Sequence, residues 1–234
     1  MGKRIIIRAR GKGSLTYQAK KSAYRYRVGY PFEEGKAKVL KLVNSPCHSA
    51  PLAKIMLNKK IFYNLACEGM FEGQEIELGS NPIQGNILKL KDIPLGSNVY
   101  NIEIRPGDGG KFIRTSGLSG EVSKKLPNQV GIIMPSKQEI LFNDNCRATM
   151  GITAGQGRLD KPIMKAGKKW HMMKARNKLW PRTSAIKMNA VDHPFGCGRG
   201  KNLAHGTKGK IPKLNAPPGA KVGSLRPSRT GKRK

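Results

Sequence analysis

The feature that most limits how this chain folds is the separation of its charge from its apolar residues. Of 234 residues, 45 are Lys or Arg and 14 are Asp or Glu, which gives a formal net charge of +31. Residues 31–160 carry +3 of this charge, whereas residues 1–30 carry +9 and residues 161–234 carry +19. Leu, Ile, Val and Phe make up 28% of the middle but 14% of the two flanks. Highly charged segments with less than about 20% of these residues bury too little apolar surface to order themselves. We therefore expect the middle to fold alone and the flanks to need a partner.

The partner indicated by this charge is a polyanion. Lys and Arg neutralise phosphates and release counterions, and Gly lets a backbone approach another surface closely. Flat side chains that could stack on exposed bases are interleaved with the basic residues; they are Tyr17, Tyr24, Tyr26, Tyr30, Trp170, Trp180 and Phe195. The pattern predicts nucleic-acid binding, with RNA favoured over DNA. If the flanks meet ten phosphates, affinity falls with about the seventh to ninth power of salt concentration, which suits permanent assembly better than enzymatic turnover.

Several classes of protein are disfavoured by the sequence. It contains no run of about 18 apolar residues, so no membrane span is predicted, and the start lacks the features of a signal peptide. The four cysteines, at 47, 67, 146 and 197, form no close-spaced pair. Scattered cysteines are typical of reduced thiols, and they predict a cytoplasmic protein.

The middle of the chain is predicted to be mainly β. Short β-type runs alternate with turn signals such as Asn58-Lys59 and the glycine-rich stretch at 106–110, which favours small barrels over a parallel α/β sheet. We predict two tandem β-barrels at 31–85 and 86–160, flanked by extended basic arms at 1–30 and 161–234. One helix is expected at about 168–178, and no regular element is expected after Pro194. The strand candidates are 38–43, 54–57, 60–65, 75–78, 86–90, 99–104, 111–115, 121–124, 129–134, 139–142 and 146–152.

Other chemistries are weaker alternatives. The acid–imidazole pair Asp192-His193 would allow general-base catalysis and hence an RNA-processing enzyme, although no nucleophile is evident nearby. His193, Cys197 and His205 lack the paired spacing of zinc ligands. Gly155-Gln156-Gly157 lacks the third glycine and the βαβ context of a dinucleotide site. An architectural or chaperone protein for DNA also remains open.

Motifs spread over the whole chain resemble the universal L-two family of large-subunit ribosomal proteins. The most specific is Met-Asn-Ala-Val-Asp-His-Pro-Phe-Gly at 188–196, and Phe195 is similar to the archaeal and eukaryotic branch. The start, Gly2-Lys3 and Arg-Gly-Lys-Gly at 10–13, also resembles that branch. The further matching segments are 106–111, 146–149, 157–158, 160–162, 165–167, 173–176, 180–181, 215–219, 221–223 and 229–231.

The resemblance implies an OB-like barrel followed by an SH3-like barrel, both bound to large-subunit rRNA. It also implies termini that thread into the RNA near the peptidyl-transferase region and a part in joining the subunits. The reaction belongs to the RNA, so the resemblance implies a scaffold and not an enzyme. His193 would support that region, with Asp192, Asn189 and Gly196 holding the same loop.

The expected partners are large-subunit rRNA, other ribosomal proteins and the small subunit, with no membrane and no small-molecule substrate. No catalytic residue, protein-bound metal or cofactor is expected, and any structural Mg2+ would be shared with rRNA. The expected location is the cytoplasmic ribosome. The predicted rRNA-contacting residues are Lys3, Arg4, Arg8, Arg10, Lys12, Arg25, Lys111, Arg114, Arg147, Arg158, Lys161, Lys165, Lys169, Lys174, Arg176, Lys178, Trp180, Asn189, Asp192, His193, Gly196, Arg199, Lys221, Arg226 and Arg229.

Overall fold

The computed structural model describes residues 3, 5–18, 21–158, 160–193 and 196. They divide between two compact units, one formed by residues 20–176 and the other by residues 1–19 together with 177–234. The larger unit is mainly β, as the sequence predicted, and is called the β unit below. The described residues of the smaller unit, called the arm unit, include one short α-helix, α1, at Ile6–Gly11. No helix among the described residues is long and apolar enough to cross a membrane.

The β unit contains a single ten-stranded sheet. Its strand order is β3-β2-β1-β4-β5-β10-β6-β7-β8-β9, and β3 and β9 are left as open edges. All neighbouring strands are antiparallel except β4 and β5. The strands are β1 Gly35–Val43, β2 Leu52–Leu57, β3 Lys60–Leu65, β4 Glu75–Leu78, β5 Ile87–Lys89, β6 Asn98–Tyr100, β7 Gly120–Leu126, β8 Gln129–Ile133, β9 Glu139–Asn143 and β10 Arg147–Met150.

Local sequence explains the hairpins and bends of this sheet. Asn58 and Lys59 join β2 to β3 with positive φ values of 45° and 66°, the backbone geometry of a tight two-residue hairpin. Irregular register interrupts β1 between Val39 and Lys41 and β7 between Val122 and Lys124. Such bulges increase the twist of a strand and bend it.

Two apolar cores lie within the β unit. One is built mainly from β1, β2 and β4 and includes Val39, Ile55 and Ile76. The other is built mainly from the strands after residue 87 and includes Tyr100 and Ile132. Consecutive residues of β5 divide between them, because Ile87 belongs to the first core and Leu88 to the second. This division follows from the alternation of side chains along a strand.

Buried polar side chains connect distant parts of the β unit. The Tyr30 hydroxyl lies 2.6 Å from the Asn101 carbonyl oxygen and 2.7 Å from Thr149 Oγ1. Asn64 Nδ2 donates to the same Thr149 oxygen at 3.0 Å, and Asn101 Nδ2 donates to Asn64 Oδ1 at 3.0 Å. Burial raises the pKa of Tyr30 well above its usual value. Tyr30 therefore acts here as a neutral hydrogen-bonding group.

A fully buried carboxylate organises the glycine-rich loop at 104–110. Glu103 is paired with Arg147 at 3.0 Å and accepts the backbone N–H groups of Gly109 at 3.0 Å and Gly107 at 3.3 Å. Asp108 accepts three further backbone N–H groups of the same loop. These two acids use the loop's N–H groups internally, so the loop does not present them as a phosphate-binding nest.

Glycine is required at one position of this loop. Gly110 has a φ of +88°, and a Cβ there would lie 2.4 Å from Asn101 Oδ1. That distance is well inside van der Waals contact, and the conformation is one that other residues rarely adopt.

Two secondary-structure predictions are wrong. Residues 111–115 form no strand; Phe112 makes only an isolated bridge with Ile102, because Ile113 has a φ of +51° and breaks the extended conformation. The start of the chain is not an extended arm, since Ile6–Gly11 is helical. Residues 21–30 also pack with the β unit, where Ala23, Val28 and Tyr30 are buried.

The helix expected at 168–178 is present as α2, at Ala166–Ala175. Its end lies just before Asn177, which has a positive φ of 51°. The prediction for residues after Pro194 lies outside the described residues, apart from Gly196. Cys47, Cys67 and Cys146 are free thiols, and Cys197 lies outside the described residues.

Replacing Glu103 with Gln tests the role of the buried ion pair. We expect Glu103→Gln to lower the free energy of unfolding by about 3 kcal/mol, because it leaves the Arg147 charge buried without its partner. Denaturant titration of the full chain measures the change. The matched control is Glu33→Gln, which removes an exposed carboxylate paired with Lys60 and is expected to leave stability unchanged. Equal stabilities for the two variants would contradict this prediction.

Candidate nucleic-acid interface

The two basic flanks meet in the arm unit. The Lys3 backbone N–H donates to the Val191 carbonyl oxygen at 2.8 Å, and Lys3 Nζ lies 3.6 Å from Asp192 Oδ1. Arg10 Nη2 donates to the Asn177 carbonyl oxygen at 2.6 Å. These contacts join residues more than 160 positions apart in the chain. Among the described residues, the two ends of the chain therefore meet in one unit at Lys3 and Arg10 on one side and Asn177, Val191 and Asp192 on the other.

In the segment from 188 to 196, which carries the most specific sequence motif, the described residues form tight turns. The Asn189 carbonyl oxygen accepts the backbone N–H groups of Asp192 at 2.9 Å and His193 at 3.0 Å, and Gly196 N–H donates to the His193 carbonyl oxygen at 2.9 Å. A Cβ at Gly196 would lie 2.3 Å from the Met188 carbonyl oxygen. The turns therefore require glycine at this position, and they hold Asn189, Asp192, His193 and Gly196 together.

A cleft of about 1010 Å³ opens beside these turns within the arm unit. Both flanks line it, Lys3, Ile5 and Ile6 from one and residues 179–193 from the other. Cationic side chains outnumber carboxylates on its walls. Its charged and hydrogen-bonding residues include Lys3, Arg182, Lys187, Asn189, Asp192 and His193. A lining that combines apolar and basic side chains suits a nucleotide, whose base is flat and whose phosphate is anionic.

His193 is partly buried at this cleft, and burial lowers its pKa. The neutral imidazole is therefore favoured at physiological pH, where it can both donate and accept a hydrogen bond. A neutral imidazole is better suited to hydrogen bonds with RNA than to an ion pair with phosphate.

A second group of basic side chains lies in the β unit around His48. Ser45 Oγ lies 2.9 Å from His48 Nδ1. Burial lowers the pKa of His48, and the nearby guanidinium groups of Arg114 and Arg176 lower it further. Burial also lowers the pKa of Arg114, whose Nη1 donates to the Gly110 carbonyl oxygen at 3.3 Å. Two guanidinium groups that both act on one imidazole make this part of the surface positive, and a bound anion such as a phosphate would be stabilised there.

Two further predicted arginines, Arg147 and Arg158, also make internal contacts. All three guanidinium nitrogens of Arg147 have protein acceptors, on Glu103 and the Pro31 carbonyl group, and the side chain also lies over the Tyr30 ring. Arg158 Nε donates to Ser116 Oγ at 2.7 Å. Arg147 therefore positions the loop after Glu103, and its charge is neutralised within the protein.

Helix α2 carries basic residues without a buried face. None of its residues is buried, its N-cap residue Lys165 makes no side-chain capping bond, and its first turn contains no acid. Lys174 Nζ lies 4.6 Å from the centre of the Trp170 ring, one turn earlier. Because most helical stability in proteins comes from a packed face, a helix like this depends on its surroundings.

The other predicted contact residues are distributed over both units. Arg8 and Arg10 lie on α1, beside Lys12, and Arg25 is exposed next to Tyr26. Lys169 and Lys174 lie on α2, and Trp180 is partly exposed in the segment that follows. The exposed lysines outside these elements are Lys111, Lys161, Lys165 and Lys178. Five predicted residues lie outside the described residues: Arg4, Arg199, Lys221, Arg226 and Arg229.

Sequence reasoning missed several residues of this interface. Arg182 and Lys187 line the cleft. Because many residues of this flank are basic, the sequence does not show which of them face a cleft. The sequence around His48 gives no signal of this site either, because its neighbours Arg114 and Arg176 are distant in sequence.

A β unit and a basic arm unit that joins both flanks define a protein built to hold a polyanion. The sequence profile described as "Ribosomal Proteins L2, C-terminal domain" matches residues 83–213. The chain is 45% identical to the large ribosomal subunit protein uL2 of Archaeoglobus fulgidus. It is 42% identical to the proteins of the same name from Methanocorpusculum labreanum and Hyperthermus butylicus. Each alignment covers 100% of this chain and 100% of the relative. The chain belongs to the L2 family of ribosomal proteins, and the resemblance found in its sequence is confirmed.

The pH dependence of His48 provides a test of the cationic group. Its folded pKa lies below its ordinary value of 6.5, so the unfolded chain takes up a proton first as pH falls. We expect the stabilising contribution of neutral His48 to be present above pH 6.5 and lost as pH falls through the folded pKa. Denaturant titration of wild type and His48→Gln between pH 7.5 and about 5 measures it. The wild type is expected to lose more stability than the variant, and parallel curves would contradict the prediction.

Helix α2 gives a second prediction. We expect the amide hydrogens of Ala166–Ala175 to exchange with solvent faster than those of strand β8, which is paired on both sides, because α2 has no buried face. Adding a polyanionic RNA should slow the exchange of α2 and leave that of β8 unchanged. Hydrogen-exchange mass spectrometry of the full chain, with and without RNA, measures both. Protection of α2 equal to that of β8 without RNA would disprove the argument.

Proposed function

We propose that this chain is a structural component of the large ribosomal subunit that binds rRNA through both of its units and does not itself catalyse a reaction. The observation that carries the proposal is the convergence of both basic flanks on the 188–196 turns, in a chain 42–45% identical to proteins named large ribosomal subunit protein uL2. Lys and Arg supply affinity by neutralising phosphates. The turns present neutral His193 and Asn189, which can form hydrogen bonds with the RNA.

The proposed contact set follows the sequence prediction and the observed positions. Exposed basic residues of α1, α2 and the segment at 161–165 would contact phosphates, and Arg114 and Arg176 would share one beside His48. Arg147 would act by positioning the 104–110 loop. Lys111, Arg158 and Trp180, with Arg4, Arg199, Lys221, Arg226 and Arg229, remain in the proposed set on the strength of the sequence motifs.

We also propose an OB-like barrel at 31–85 and an SH3-like barrel at 86–160, with basic arms at 1–30 and 161–234. The presence of two cores, one built mainly from β1, β2 and β4 and the other mainly from the later strands, supports this division. The implied partners are large-subunit rRNA, neighbouring ribosomal proteins and the small subunit, and the implied location is the cytoplasmic ribosome.

Sedimentation tests the assignment directly. Tagged protein from a lysate of the source cells is expected to migrate with large ribosomal subunits on a sucrose gradient. RNase treatment before centrifugation should release it, because rRNA holds the assembly together. If the untreated protein migrates as free protein, rRNA-dependent assembly is refuted. It is also refuted if the protein still migrates with large subunits after RNase treatment.

The alternative of an RNA-processing enzyme built on Asp192 and His193 makes a different prediction. Purified wild-type protein would cleave or modify RNA with turnover, and His193→Ala would abolish that activity. The Asp192 carboxylate lies 3.6 Å from Lys3 Nζ, and this ion pair suits a role in joining the flanks. Absence of turnover by the wild type eliminates the enzyme.

A further inference from the structure

The two edges of the ten-stranded sheet differ in how far they are covered. Along β3, Val28 forms a bridge with Tyr63, and the Gly29 N–H donates to the Tyr63 carbonyl oxygen at 3.1 Å. Within the described residues, the free side of β9 makes one backbone bond, from the Cys146 N–H in the turn that follows the strand. Unpaired strand edges are templates for pairing with another chain. The edge at β9 is therefore where the β unit can accept a further strand.

The hydrogen-bond pattern shows which backbone groups of β9 face this edge. The Asp144 N–H donates to the Asn128 carbonyl oxygen at 3.2 Å, in line with the ladder between β8 and β9. Because residues of an antiparallel strand alternate between pairing with one side and facing the other, the even-numbered residues of β9 bond to β8. Glu139, Leu141 and Asn143 therefore direct their N–H and C=O groups away from β8.

Strand β9 lacks the lysine, proline and bulge that protect many natural sheet edges. Its sequence is Glu-Ile-Leu-Phe-Asn, and its register with β8 is uninterrupted over all 5 residues. Its one charge, on Glu139, is paired with Lys124 at 2.8 Å. The edge is thus straight and close to neutral, and nothing in the strand itself opposes the approach of a partner.

The outer face beside this edge is apolar. Leu141 is 48% exposed, and it lies opposite Gly131, which has no side chain to cover it. Ile133 and Leu126, on the neighbouring strands, are 39% and 43% exposed. Their register with β9 and β8 places them on the same face as Leu141. A strand added to β9 would bring its own side chains against Leu141.

Strand β9 is complementary to a second copy of itself in the antiparallel direction. With Leu141 on the two-fold axis, its N–H and C=O groups pair with those of the same residue in the other copy, and Glu139 faces Asn143 on each side. Lys137 precedes the strand and Asp144 follows it. Antiparallel pairing therefore brings the cation of one copy beside the acid of the other at both ends, whereas parallel pairing would bring like charges together.

We propose that the free chain forms a symmetric dimer in which β9 pairs with β9 of a second copy and the two sheets become continuous. The proposal concerns the chain before it meets RNA, and it does not depend on the proposed function. Because one strand of 5 residues per copy makes the contact, the dimer is weak and reversible, as interfaces below about 1,200 Å² are. Dimerisation covers an edge that otherwise favours aggregation of the free chain.

Sedimentation equilibrium of the full chain, freed of RNA, tests dimerisation over about 5–500 µM protein. Each copy carries a net charge of +31, so the copies repel each other. Salt screens this repulsion, and it should strengthen dimerisation although it weakens binding to RNA. We expect a monomer–dimer equilibrium that is tighter at about 0.5 M than at about 0.1 M salt. A monomer at every concentration, or association that nuclease removes, would overturn the proposal.

Two variants with the same added charge locate the interface. Leu141→Lys places like charges side by side at the two-fold axis and is expected to raise the dimer dissociation constant about tenfold. Leu126→Lys makes the same change at an exposed leucine of the same face, two strands from the edge, and should stay within about twofold of wild type. Circular dichroism establishes that both are folded. Equal dissociation constants for the two variants would rule out the β9 contact.

Hydrogen exchange of the unmodified chain gives a result that does not depend on any variant. The Leu141 amide faces the open edge, so we expect it to exchange more slowly at about 500 µM than at about 5 µM protein. The amides of Ile140 and Phe142 are already bonded to β8 and should change little. Fragmentation of the labelled peptide in the mass spectrometer separates these positions. An exchange rate at Leu141 that is the same at both concentrations would contradict pairing through β9.

Discussion

The buried ion pair between Glu103 and Arg147 is the interaction on which the β unit most depends. Glu103 is fully buried, so its charge is tolerable only with Arg147 and three backbone N–H donors around it. Arg147 in turn contacts the Pro31 carbonyl group and the Tyr30 ring. One pair thus links β10, the glycine-rich loop and the segment that enters β1.

This constraint limits which parts of the surface are left to bind RNA. Backbone N–H groups of the loop at 104–110 donate to the carboxylates of Glu103 and Asp108. Arg147 pairs with Glu103, so its charge is neutralised within the protein. The number of basic residues therefore overestimates the size of the RNA interface, because some of these residues stabilise the fold instead of contacting RNA.

Much of the architecture could be predicted from sequence, because it follows from local patterns. Alternating apolar residues and turn signals located most strands, and the Asn58-Lys59 turn is a hairpin as expected. The strand predicted at 111–115 is wrong because Ile113 has a positive φ of 51°, which no local sequence pattern indicates for an isoleucine. The contact between Lys3 and Val191 was missed for a similar reason, since it joins opposite ends of the chain. The motif at 188–196 was recognised, but the cleft beside it depends on residues from both flanks.

The adjacent residues Ile87 and Leu88 belong to different cores, and this has a consequence for how the chain tolerates change in length. Because side chains alternate along a strand, adding or deleting one residue in β5 would turn each of them toward the wrong core. Loops elsewhere can absorb such a change, but this strand cannot. An insertion or a fusion partner placed at β5 would therefore disrupt both cores at once, whereas the β2–β3 and β7–β8 turns offer safer positions for engineering.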